Sequence, residues 1–158
     1  MFFVSDNQKD RHSLIREFLT HDQATIAIIL AAIDFEWSLR RTILLFGYNS
    51  TKHIREIVLA NVSGPEKYKE VWKNEVEKNL GISLPNVIPH WSRLVNSKNG
   101  AYRLRNQIVH GIHGNVTEKY ATDRVEDFLR ASELLQELAS KHQTTIFKRI
   151  VRRKSKSN

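Results

Sequence analysis

Residues 103–111 read Arg-Leu-Arg-Asn-Gln-Ile-Val-His-Gly, and no other stretch of the chain gathers as much chemistry. Arg105 supplies a fixed cation, Asn106 an amide beside it, and His110 an imidazole that can exchange a proton near neutral pH. Such a set can hold a phosphate and move a proton. Gly111 follows at once, so the same residues also read as an ordinary helix end. In that reading Arg105 meets a carbonyl or an acid, and His110 is favoured by the helix dipole.

Geometry narrows the first reading. Positions four apart share a helix face, which puts Asn106 with His110. Arg105 lies about 140° round the axis from His110, so one continuous helix does not aim both at one small substrate. Two arrangements can. The helix breaks at His110, as Gly111 permits, or two copies of the segment meet across a two-fold axis and share a cleft.

The elements that must position these residues are helical almost throughout. Leu14 and Phe18 open a stripe on a short first helix. Ile26, Ile29, Leu30, Ile33, Trp37 and Leu44 predict one long helix over about 21–46, ended by Gly47. A shorter helix covers 51–62. Ser63-Gly64-Pro65 is a break, and Pro65 suits a first helical position. Trp72, Val76 and Leu80 form the next stripe, closed by Gly81. Pro85 and Pro89 bracket an irregular link. Residues 91–109 read as two helical pieces interrupted near 96–100. Thr117 caps a last long helix lined by Val125, Phe128, Ala131, Leu135 and Leu138. The expectation is an all-α antiparallel bundle of five or six helices. It has one domain over residues 1–145 and a basic tail over 146–158.

Composition bounds the rest. Cysteine is absent, which removes disulfides and thiolate metal sites and fits a reducing cytoplasm. The histidines are scattered, and His110 and His113 lack acidic companions at zinc-site spacing, so no metal or other cofactor is expected. The apolar start at Met1 is short and lacks the flanks of a signal peptide, and the apolar run from Ala24 to Ile33 is too short to span a bilayer. A soluble protein is expected. The net charge is +8, but Lys148, Arg149, Arg152, Arg153, Lys154 and Lys156 carry six of those charges and leave +2 elsewhere. Such a tail reads either as a nucleic-acid-binding arm or as a solubilising, frayed terminus.

Arg105-Asn106-x-x-x-His110 followed by Gly111 and a long last helix resembles the HEPN superfamily. The long early helix, with Asp34-Phe35-Glu36-Trp37 and Arg40-Arg41, agrees with that architecture. At residue level the resemblance is specific only over 104–111. It implies a metal-independent endoribonuclease acting as a homodimer, in which the RNA's own 2′-OH attacks the adjacent phosphate. Arg105, Asn106 and His110 would be the catalytic set. Toxins of toxin–antitoxin pairs and antiviral effectors belong to this group. Some of those toxins carry a tyrosine two residues after the histidine, where the antitoxin modifies them. Ile112 stands there in this chain, so inhibition by tyrosine modification is not expected, and an antitoxin that binds stays open.

Asp34 and Glu36 are candidates to hold the motif arginine or histidine, or else are acids paired elsewhere. Arg103 and His113 flank the motif as candidate substrate contacts. Trp37, Trp72 and Trp91 read as core or dimer-interface residues rather than base-stacking groups. The rival functions are a non-catalytic HEPN-like module that binds a nucleotide or protein, and a helical adaptor whose tail binds nucleic acid.

Overall fold

A computed structural model describes residues 7–21, 23–112 and 116–154. The protein is all-α, with no strand among the described residues. Its elements are α1 (Gln8–Thr20), α2 (Ala24–Phe46), α3 (Thr51–His53), α4 (Pro65–Trp72), α5 (Lys78–Leu80), α6 (Leu84–Val87), α7 (Trp91–Val95), α8 (Ala101–Val109) and α9 (Glu118–Lys141). A π-helical turn, Ile54–Val58, continues α3, and another, Lys73–Glu77, joins α4 to α5. With those turns counted as continuations, the described chain has eight helical stretches rather than five or six. The excess comes from short pieces. The expected irregular link between Pro85 and Pro89 overlaps α6, with Pro85 in its first turn, where a missing N–H costs nothing.

Contacts divide the chain into two compact units. The first comprises residues 1–36 and 92–131, the second residues 37–91 and 132–158. The predicted face of α9 is buried as expected: Val125, Phe128, Ala131 and Leu135 are fully enclosed and Leu138 nearly so.

The predicted faces of α1 and α2 are not the buried ones. On α1, Ile15 and Leu19 are buried, while Leu14 is 42 % exposed. On α2 the buried set is Ala27, Ile28, Ala31, Ala32, Phe35, Leu39, Ile43 and Phe46, together with Asp34, Ser38 and Thr42. Ile26, Ile33 and Trp37 of the expected stripe are exposed. The helix is apolar on nearly every side, and a line of polar groups at 34, 38 and 42 runs along its inner face. The Thr42 hydroxyl meets its burial cost by donating to the Ser38 carbonyl at 2.8 Å.

In the first unit Phe35, Tyr102 and Phe128 pack ring against ring, with centroids 5.4–6.2 Å apart. This cluster ties α8 to α2 and α9. In the second unit Tyr68, Trp72, Val76, Ile54, Leu84 and Ile88 are enclosed. The Trp72 indole donates to the Ile82 carbonyl at 2.9 Å. Arg40 ties three segments of this unit together, donating to the Tyr68 hydroxyl and to the Leu59 and Val62 carbonyls.

Candidate functional site

The motif sits on α8, which is amphipathic. Ala101, Tyr102 and Leu104 face the core, and Arg103, Asn106 and Val109 face solvent. The loop before α8 is tightly built. Asn96 Oδ1 accepts from the backbone N–H groups of Lys98 and Asn99, forming an Asx turn. The Gly100 N–H donates to the Asn96 carbonyl at 2.9 Å, and a Cβ at Gly100 would lie 2.5 Å from that oxygen, so only glycine fits. From α9, the Tyr120 hydroxyl and Arg124 Nη1 both donate to the Asn99 carbonyl. Arg103 Nη1 donates to the Ser97 carbonyl at 2.6 Å, so this arginine anchors the same loop.

The other end of α8 is as well defined. His110 is the C-cap and Gly111 adopts φ +67°. The Gly111 N–H donates to the Ile108 carbonyl and the Ile112 N–H to the Gln107 carbonyl, which is the Schellman pattern. The helix therefore ends at His110, as Gly111 permits. His110 and Asn106 are exposed and Arg105 is half-buried. Arg105 Nη1 donates to Asn106 Oδ1 at 2.9 Å, and no hydrogen bond joins Arg105 to His110. Within one chain the arginine and amide are thus brought together, and the imidazole lies at the helix end as the C-cap residue. The turn is flanked by Val109 and Ile112, which are 52 % and 68 % exposed. His113 lies outside the described residues.

Asp34 is engaged elsewhere. It is buried and accepts from Arg11 Nε at 2.8 Å, with His12 Nε2 at 3.0 Å from its other oxygen. Burial alone would raise the Asp34 carboxyl, but the hydrogen bonds and charges of His12 and Arg11 outweigh it and hold the group below its ordinary value. Asp34 is therefore an intramolecularly paired acid rather than a support for Arg105 or His110. Glu36 is half-buried on α2. Sequence reasoning missed Arg11 and His12 as partners. Arg11 lies four and eight residues before Ile15 and Leu19, and that spacing places it on the inner face of α1.

The basic tail is pinned through Arg153. This guanidinium donates to the carbonyls of Leu44, Leu45 and Asn49, and the Arg153 N–H donates to Thr51 Oγ1 at 3.0 Å. Arg153 thus serves the end of α2 and is not presented to a ligand. Its burial lowers its proton affinity, an effect that nearby Glu75 opposes. Lys148, Arg149, Arg152 and Lys154 are exposed, and Lys156 lies outside the described residues.

Among the described residues no three His, Asp or Glu side chains gather as metal ligands, and no helix is long and apolar enough to cross a membrane. No protein-family model, curated protein or solved structure matches the chain.

Proposed function

We propose that the protein is a metal-independent endoribonuclease of the HEPN type, acting as a homodimer in the cytoplasm. The observation that carries this reading is the state of the α8 terminus. Arg105 and Asn106 lie on α8 and His110 caps its end; all three reach solvent, and among the described residues none has a carboxylate partner. A cation and an imidazole left in this state can serve a phosphodiester. His110 takes the proton from the 2′-OH as it attacks phosphorus. The bond from phosphorus to the 5′-oxygen breaks, and that oxygen leaves with a proton donated by the second copy's imidazole. Arg105 holds the phosphate oxygens as negative charge builds, and Asn106 orients Arg105. The products carry a 2′,3′-cyclic phosphate and a 5′-OH. Exposed Val109 and Ile112 beside His110 provide the apolar surface that a second copy would cover.

The test is to incubate purified protein with RNA in EDTA. Cleavage is expected in the wild type and is expected to fall by about 10²–10⁴-fold in His110→Ala. Cleavage retained in His110→Ala would remove His110 from the mechanism. In cells the proposed role is that of a toxin or antiviral effector held in check by a binding antitoxin. Expression should therefore arrest growth with wild type and not with His110→Ala.

The engagement of Arg105 by Asn106 rather than by His110 also favours a second reading, a non-catalytic module in which Arg105 makes partner contacts. It predicts no cleavage by any variant and loss of dimer on Arg105→Ala, read by light scattering.

A further inference from the structure

A second cationic site lies in the other unit. Residues 146–154 carry no helix, yet they are fastened at both ends. Arg41 donates from Nε to the Ile146 carbonyl at 2.7 Å and from Nη2 to the Lys148 carbonyl. Ile146 is fully buried. At the far end Thr51 and Arg153 exchange hydrogen bonds, the Thr51 N–H donating to the Arg153 carbonyl at 3.2 Å. The intervening residues form one wall of a cleft of about 760 Å³ whose charged lining is Arg41, Lys52, Arg55, Glu56, Arg149 and Arg152. Five of these six are cations, and the one acid, Glu56, lies 4.0 Å from Lys52. Cations gathered along one cleft raise its positive potential, and that potential attracts a polyanion. Burial, and then the charge of Arg55, hold Arg41 below its ordinary proton affinity.

Phosphate alone would need no more than these cations, but an aromatic platform adjoins them. Trp37 lies one turn before Arg41 on α2 and is 41 % exposed. Its ring is stacked on Phe147, with centroids 5.8 Å apart and planes 14° apart. The Arg41 guanidinium carbon is 5.4 Å from the Trp37 centroid. Arg41 thus belongs both to the cationic lining and to the aromatic stack. A cationic groove with an adjoining exposed ring is the arrangement that holds the backbone of an unpaired strand and stacks its bases.

We propose that this cleft, with Trp37, is a binding track for single-stranded nucleic acid. It shares only its ligand class with the proposed cleavage and stands on separate residues. Arg153 is not part of it, and Arg41, Lys52 and Arg55 from the helices are.

The test is fluorescence anisotropy of the full chain with a labelled 2′-O-methyl oligoribonucleotide of about 12 nucleotides, a length within single-strand site sizes. That probe lacks the attacking 2′-OH, so binding is read whether or not the protein cleaves RNA. Arg55→Ala/Arg149→Ala should weaken binding by about tenfold and lower the slope of log K against log salt by about 1.4, the value for two lost phosphate contacts. Trp37→Ala should weaken binding by about fivefold or more. Lys67→Ala, exposed on α4, should leave it unchanged, and thermal melts establish that each variant is folded. Unchanged binding by Arg55→Ala/Arg149→Ala would overturn the site. Equal affinity for a duplex of the same length, with Trp37→Ala silent, would overturn the single-strand assignment. Preference for vesicles rich in phosphatidylserine over the oligonucleotide would overturn it in favour of a membrane surface.

Discussion

The first unit holds two arginine–histidine pairs, and they are used in opposite ways. Arg11 and His12 converge on Asp34 in a place almost closed to solvent. Arg105 and His110 stand at an exposed helix end, where the arginine has an amide for a neighbour and, among the described residues, no acid. The same residue types therefore divide by whether their charge is already answered. In the buried pair every gain goes into the fold, because breaking one member leaves the others uncompensated in a poor dielectric. In the exposed pair the capacity to bind an anion and exchange a proton is still available.

That contrast can be broken most forcefully at Asp34. Asp34→Ala should cost about 3–5 kcal/mol of stability in chemical denaturation, since it strands Arg11 and His12. Arg105→Ala should cost less than about 1 kcal/mol in the same experiment, as expected for an exposed polar contact. Equal costs would erase the distinction.

Acid offers a gentler probe. The folded-state Asp34 carboxyl is held below its ordinary value, so its stabilising contribution is complete above the unfolded-state value, about 3.9. It is lost as pH falls through the lower, folded-state value. Denaturation followed from pH 6 downward should show wild type losing stability below about 4. Asp34→Asn should lack that component, and a wild-type curve with the same slope as the variant would contradict the assignment.

Backbone substitutions sharpen the comparison from the exposed side. Two helices end in the same Schellman pattern, α8 through Gly111 at φ +67° and α9 through Gln143 at φ +56°. Gly111→Ala should destabilise by about 1–2 kcal/mol, because an L side chain is strained there. Gln143→Gly should stabilise by up to about 1 kcal/mol, read as a rise in melting temperature. The smallest effect belongs to Arg16→Ala. Its two hydrogen bonds to Glu126, at 2.7 and 2.9 Å, hold that carboxyl below its ordinary value, but both side chains are over two-fifths exposed. The loss should stay below about 1 kcal/mol.

How much of this was legible depended on how one-sided each helix is. α9 alternates charged and apolar faces, so its buried residues could be read directly. α2 carries isoleucines and leucines all round, and periodicity cannot choose a face when every face is apolar. The buried line of Asp34, Ser38 and Thr42 argued for the wrong side, because the α1 partners of Asp34 are remote in sequence and Thr42 bonds within its own helix. At the motif the break after His110 was legible from Gly111. The attachment of Arg105 to the adjacent amide was not, since neighbours along a helix ordinarily diverge. The tail's charge was plain from composition. Which cation turns inward was not, because it depends on carbonyls left open where α2 ends, around a hundred residues away.

The inward turn of Arg153 has a practical consequence for anyone dissecting this chain by deletion. Trimming the C-terminus looks like a clean way to subtract charge, yet a cut before Arg153 also uncorks the end of α2. Lost ligand binding after such a cut would confound two causes. Replacing the outward-facing Arg149 and Arg152 one at a time subtracts the charge and leaves the cork in place.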